Sequence, residues 1–233
     1  MPRLHAAIAG LALLLAAPAF AQDEPGILSG ADATPNFIGS TGLLETPNAH
    51  TVGDKGFAVF LTGGSRFNSA GVIVGPIKNL EIGATWLDID NATSQIIVNA
   101  KYTVLNESTF IPGFAVGVVD AFDELRVGQS WYIVASKDIG KLIPLRPFDL
   151  RAHLGFGGGI YDEEVFAALE IGIATPLDAI PLSHPRLTFI PEIRNGDVNL
   201  GLRLKWRGFA ASVALFDFDQ IGGGISYTAG LRL

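Results

Sequence analysis

The chain has 233 residues, 48% of them apolar and 17% charged, with 28 Gly, 13 Pro and no Cys. Apolar content at this level excludes a disordered chain. The missing cysteine excludes disulfide scaffolds, Cys-ligated zinc, thiol catalysis and lipidation at an N-terminal Cys. With 16 Lys+Arg against 23 Asp+Glu, a formal charge of -7, the surface does not suit a nucleic-acid partner.

Residues 1–21 open with Arg3 and His5, run through an apolar stretch from Ala6 to Ala17, and end Ala19-Phe20-Ala21. A positive start, a short apolar run and small residues at the end are the parts of a secretory signal peptide, cleaved here after Ala21. No later stretch reaches 18 continuous apolar residues, so no transmembrane helix is expected. Residues 22–55 are rich in Gly, Pro, Asp, Asn and Thr and read as an extended lead-in. Because Phe37, Ile38, Leu43 and Leu44 need burial, Phe37–Lys55 is expected to be ordered, inside or across the domain that follows.

From Gly56 to the end the period is two. About twelve runs are expected as strands, near 56–63, 69–75, 79–88, 95–105, 112–121, 128–138, 147–157, 164–174, 186–194, 197–207, 209–217 and 222–233. In 197–207, Val198, Leu200, Leu202, Leu204 and Trp206 alternate with Asp197, Asn199, Gly201, Arg203, Lys205 and Arg207. In 148–157, Phe148, Leu150, Ala152, Leu154 and Phe156 alternate with Asp149, Arg151, His153, Gly155 and Gly157. Short joints such as Asn195-Gly196 and Arg207-Gly208 imply sequential antiparallel neighbours, and a meander this long closes on itself to remove its edges.

Closure has two solutions with the same alternation. A soluble barrel turns its apolar face inward, as a periplasmic lipid- or ligand-binding protein would; a membrane barrel turns it to lipid. Runs of about 9–11 residues and aromatics near run ends (Trp86, Tyr102, Trp206, Tyr227) favour the membrane. So does the large interior of a twelve-stranded barrel, which water can fill. The expected fold is therefore all-β, an antiparallel up-and-down transmembrane barrel over 56–233, with outer-membrane lipids as its surroundings.

Gly39-Ser-Thr-Gly-Leu-Leu-Glu-Thr-Pro-Asn-Ala49 ahead of the first strand resembles the opening of the YjbH-type outer-membrane proteins. The likeness continues through Asn79-Leu-Glu-Ile-Gly83, Asn99-Ala-Lys-Tyr-Thr103, Pro112-Gly-Phe-Ala-Val-Gly-Val118 and Trp131-Tyr-Ile-Val-Ala-Ser-Lys137. It extends to His153-Leu-Gly-Phe-Gly157 and Pro191-Glu-Ile-Arg-Asn-Gly-Asp-Val-Asn-Leu-Gly201. Larger members look like lipoproteins with two tandem barrels; this chain has no Cys and length for one. The resemblance implies a role in exopolysaccharide or capsule secretion, as a passage or a structural component. Polysaccharide or polysaccharide-export proteins would then be the partners.

Chemistry-bearing motifs are few. His50, His153 and His184 are not at metal-ligand spacing, and G-x-S-x-G, H-E-x-x-H and phosphate-loop patterns are absent. Neither a catalytic site nor a cofactor nor a metal is expected. His153 is the one histidine expected on a strand, and a membrane-embedded acyl hydrolase would need such a residue beside a serine or carboxylate. The polar face carries Glu81, Asp149, Glu164, Glu170 and Glu192 with Lys101, Arg151, Arg186, Arg194, Arg203, Lys205, Arg207 and Arg232. These charges line either a passage or an internal ion-pair network that plugs the barrel. The basic excess from Arg186 to Arg232 would favour an anionic polymer.

Overall fold

The computed structural model describes residues 33–65, 67–89, 93–140, 142–143, 148–174 and 185–230. The expected signal peptide, the start of the lead-in, His184 and Arg232 lie outside them. Twelve strands form one closed antiparallel barrel in sequential order. They are β1 Gly56–Gly64, β2 Phe67–Val74, β3 Leu80–Ile89, β4 Gln95–Leu105, β5 Gly113–Val119 and β6 Ser130–Asp138, then β7 Phe148–Gly157, β8 Glu164–Ala174, β9 Arg186–Arg194, β10 Asp197–Trp206, β11 Phe209–Phe216 and β12 Gln220–Gly230. Strands β1 and β12 close the ring with Gly56 opposite Gly230 and Gly64 opposite Gly222. The start of β1 and the end of β12 therefore share one rim, here the termini rim; the other is the far rim.

Local chemistry explains the joints. Asn195 and Gly196 take φ 53° and 79°, and Arg207 and Gly208 take 48° and 83°. Two successive positive φ values are those of the type I′ hairpin turn, whose twist matches the strands on either side. Among the described residues one irregularity breaks the ladder, a register shift between Thr103 and Leu105 where β4 runs into its loop.

The apolar face points outward. Ile96, Leu154, Val165 and Ile221 are each more than half exposed on the outer surface, and Leu202, Leu204 and Val213 nearly so. Such a belt is unstable in water and stable against acyl chains. This overturns the soluble alternative and makes the chain an outer-membrane barrel. Trp86, Tyr102 and Trp206 stand on the outer surface as expected of interfacial aromatics. Tyr227 also alternates outward, but its ring is buried under Phe57 and Phe209, with centroids 6.3 and 4.6 Å away.

The interior is packed around the lead-in. Residues 33–52 enter the ring, fold back on themselves through bridges Pro35–Thr41 and Gly42–Pro47, and leave to start β1. Phe37, Leu43 and Leu44 pack against Ala168, Ile190, Ala214 and Phe216. Ile38 and Ala49 join a second cluster with Leu87, Ile97, Val134, Tyr132, Tyr161 and Phe166. We call this inserted segment the plug.

Candidate functional site

The site is the contact between plug and wall, and it is built from backbone groups. A segment with little regular structure satisfies only some of its N–H and C=O groups itself, as in Phe37 N–H to the Leu44 carbonyl at 2.8 Å, so burial inside a barrel demands polar partners from the wall for the rest. Inward positions of the strands supply them.

Glu192 on β9 is the first anchor. Its carboxylate accepts the backbone N–H groups of Leu44, Glu45 and Thr46 at 3.1 Å each, the Thr46 hydroxyl at 2.8 Å and the Asn199 amide at 3.2 Å. Successive N–H groups converging on one anion form a nest, whose local dipoles favour negative charge. Beside it Arg203 on β10 donates from Nη1 to the Gly42 carbonyl at 3.0 Å, from Nη2 to the Leu43 carbonyl, and from Nε to Ser212 at 3.1 Å. Arg194 pairs with Glu45 at 3.1 Å. Three side chains on two adjacent strands thus grip residues 42–46 on both donor and acceptor sides.

Glu81 on β3 is the second anchor. It accepts the Thr41 N–H at 2.8 Å, the Thr41 hydroxyl at 2.8 Å and the Val52 N–H at 3.2 Å. Lys101, its cross-strand neighbour on β4, lies 3.5 Å away and donates to the Thr41 carbonyl at 2.8 Å. Asn99 donates to the Ile38 and Gly39 carbonyls at 2.9 and 3.1 Å, and Ser69 to the Phe37 carbonyl at 2.7 Å.

Close approach fixes two glycines. Gly39 takes φ +90°, and a Cβ there would meet Thr85 Oγ1 at 1.8 Å. At Gly201 on β10, a Cβ would meet Leu44 Cδ2 at 2.5 Å, so the inward glycine makes the hole that Leu44 fills. Two voids lined by Phe37 measure about 10 Å³ each. That is near the minimum for one water.

At the termini rim a charged cluster holds the plug's outgoing limb. Arg151 on β7 donates to His50 Nε2 at 2.5 Å and lies 3.6 Å from Asp138 and 3.7 Å from Glu107. Glu107, on the β4–β5 loop, also accepts the Asp138 N–H at 2.8 Å and meets Lys137 at 3.4 Å. Burial pushes the Glu107 carboxyl up, but contact with His50, the Asp138 N–H and the Arg151 charge outweigh it and hold its pKa at about 2. Burial pushes His50 down and Arg151 adds to that, against an opposing pull from Glu107.

His153 lies in the lumen with Nδ1 2.8 Å from Ser136 Oγ and Nε2 3.7 Å from Glu170. A serine, a histidine and a carboxylate are therefore adjacent, the combination an acyl hydrolase requires. They face away from lipid, however, and the Ala49 N–H of the plug donates to Ser136 at 2.8 Å. Glu170 also stands 4.0 Å from Arg203. Asp149 is exposed at the termini rim with Arg186 at 3.2 Å, and Lys205 is half-buried on the inward side of β10 near the same rim. Arg207 belongs to a turn and sits 5.5 Å from the Trp206 ring, outside the wall. The basic residues of the last third are thus dispersed: Arg194 on Glu45, Arg203 on carbonyls, Arg186 on Asp149.

Sequence reasoning did not single out Asn99, Ser136, Asn199 or Thr41. Their signal was present, since Asn99, Ser136 and Asn199 share the inward parity with the charged positions.

The family model described as "Exopolysaccharide biosynthesis protein YbjH", of the YjbH family, matches residues 34–166, a span that includes residues 34–52 of the plug and the first seven strands. No curated protein matches. Among solved structures, a KdgM porin is similar with a TM-score of 0.50 at 9% identity, covering 76% of this chain and 99% of its own. A KdgM porin in complex with disordered oligogalacturonate is similar with a TM-score of 0.48 at 10% identity and the same coverage.

Proposed function

We propose, for a chain that belongs to the YjbH family of exopolysaccharide biosynthesis proteins, that it serves polysaccharide secretion at the outer membrane as a barrel kept shut by its own N-terminal segment. The termini rim faces the periplasm, where an exported chain's ends lie, and the plug withdraws to that side when the passage opens. The observation that carries this reading is that Glu81, Lys101, Glu192 and Arg203, the inward charges of four strands, engage plug backbone.

A passage lined by fixed charge would hold ions and polymer continuously; this one holds peptide. The lumen chemistry also suits the alternative occupant. Carboxylates that accept N–H groups accept sugar hydroxyls, and Arg, Lys and Asn that donate to carbonyls donate to sugar oxygens. Partners are accordingly the polymer or periplasmic export proteins.

The test has two parts. Reconstituted in planar bilayers, the native protein conducts no steady current, and variants with a weakened plug conduct. In cells, removing the protein lowers surface or secreted polysaccharide, and a weakened-plug variant restores it. Unchanged polysaccharide in the deletion refutes the role; a steady open channel in the native protein refutes the closure.

A further inference from the structure

We infer that His50 is a proton-sensitive latch: neutral, it ties the plug's outgoing limb to β7, and protonated, it lets that limb go. The inference rests on the reading of residues 33–52 as a displaceable plug. Nε2 of His50 accepts from Arg151 at 2.5 Å, which needs a lone pair on the ring nitrogen. Protonation removes that lone pair and sets two cations against each other.

Arg151 cannot retreat, because Glu107 and Asp138 hold it at 3.7 and 3.6 Å. The histidine is on the irregular segment and the arginine on a strand, so the histidine moves.

Every charged element around the ring bears on the outcome. From the β4–β5 loop, Glu107 lies 3.4 Å from Nε2 and attracts a protonated ring. From β7 come Arg151 and, deeper, His153, both of which oppose it. From β6, Lys137 acts through Glu107 and the Asp138 carboxylate through Arg151. With neutral His50 the four charged groups Arg151, Lys137, Glu107 and Asp138 balance, and a fifth charge unbalances them towards positive. The lowered His50 pKa has the matching sign: a histidine harder to protonate in the latched state than outside it favours release as pH falls. The adjoining residue transmits the change, because Ala49 holds Ser136 and Thr103.

The experiment is hydrogen exchange on the full mature chain in lipid nanodiscs at pH 7.5 and pH 5, corrected for the intrinsic pH dependence of exchange. The latch predicts that amides of residues 41–52 lose protection severalfold at the lower pH while those of β3 and β4 do not. His50→Gln, which keeps an acceptor but does not titrate, holds protection at both pH values; His50→Lys lacks it at both. Equal protection of the native plug at the two pH values overturns the inference. So does a pH response that survives in His50→Gln, which would place the titration on Glu170, His153 or another lumen group. Protection in β3 and β4 reports folding, so His50→Gln decides even where His50→Lys does not fold. Exchange reads the plug whether or not a polymer ever crosses, so failure here is distinct from failure of the secretory role.

Discussion

Glu192→Ala tests the hold on the plug most directly. The substitution removes the acceptor of three buried backbone N–H groups and one hydroxyl within residues 44–46. Bonds to a charged group are worth about 1.5–3 kcal/mol each, and an orphaned buried donor costs about 1–3 kcal/mol. Water admitted to the vacated carboxylate space recovers part, leaving a net loss of about 3–6 kcal/mol in plug binding. Against this stand Phe37, Leu43 and Leu44, worth about 1.5–3 kcal/mol each, with the Glu81 and Arg203 contacts still in place. The single variant therefore loosens residues 42–46 without expelling the plug. Adding Leu44→Ala, at about 2–5 kcal/mol, tips the balance. In hydrogen exchange, Glu192→Ala raises the rates of the Leu44, Glu45 and Thr46 amides far more than those of Thr41 or Val52, and bilayer current appears only in the double variant. Unchanged exchange at 44–46 in Glu192→Ala would show that the nest does not hold the plug, and the reasoning fails.

Gly201→Val places a side chain where Leu44 already sits, so it displaces the plug while leaving the β9–β10–β11 ladder intact; increased current with unaltered strand content checks it. Leu202→Arg on the lipid face costs about 2–4 kcal/mol near the midplane, measured by denaturant titration in lipid. A fluorophore on Leu202→Cys is quenched by lipid-borne nitroxides, whereas position 203 in Arg203→Cys is not, and equal quenching at both positions contradicts the assigned faces. Glu107 titrates lower in the fold than in the unfolded chain, so its contribution is complete above about pH 4.3 and disappears as pH falls through about 2. Glu107→Gln accordingly flattens acid unfolding across that window, and a curve parallel to the native one counts against it.

The barrel was legible because a period of two is written into every strand, and the starts and ends fall within two residues of the sequence reading, apart from the last end, whose expected residues 231–233 lie outside the described residues. Polarity was harder, since alternation is identical in soluble and membrane barrels. It is settled by which set packs on the plug: Arg203 inside against Leu43, Leu202 outside. The charged residues were placed on a common face, yet their purpose was not legible. Glu192 and Arg203 bind backbone atoms of residues 42–46, more than 140 positions away, and a backbone carbonyl has no sequence signature. The cluster of Glu107 with His50 and Arg151 was hidden for a related reason, since it joins a loop, a plug and a strand whose meeting depends on barrel closure. The apparent basic track of the last third dissolved because residues adjacent in sequence reach different heights of the wall.

The same wall suits two occupants, and this limits how the barrel can open. With the plug withdrawn, cross-strand neighbours such as Glu81 with Lys101 and Arg151 with Glu170 remain in register and meet water, so the wall itself loses little. Opposition to withdrawal then falls mainly on Phe37, Ile38, Leu43 and Leu44, about 6–12 kcal/mol in total. A barrier of that size in free energy keeps the open state rare without help. Protonation of one histidine cannot supply it alone, because a single site shifts an equilibrium only by its own differential proton affinity. A partner that binds the withdrawn segment, or a polymer that binds the emptied lumen, can: a nanomolar contact is worth about 12 kcal/mol. Binding to the outer face of the closed barrel, however tight, cannot, because it contacts both states alike. Opening therefore belongs to ligands that touch residues 33–52 or the positions those residues cover, and the histidine latch sets the pH at which such ligands succeed.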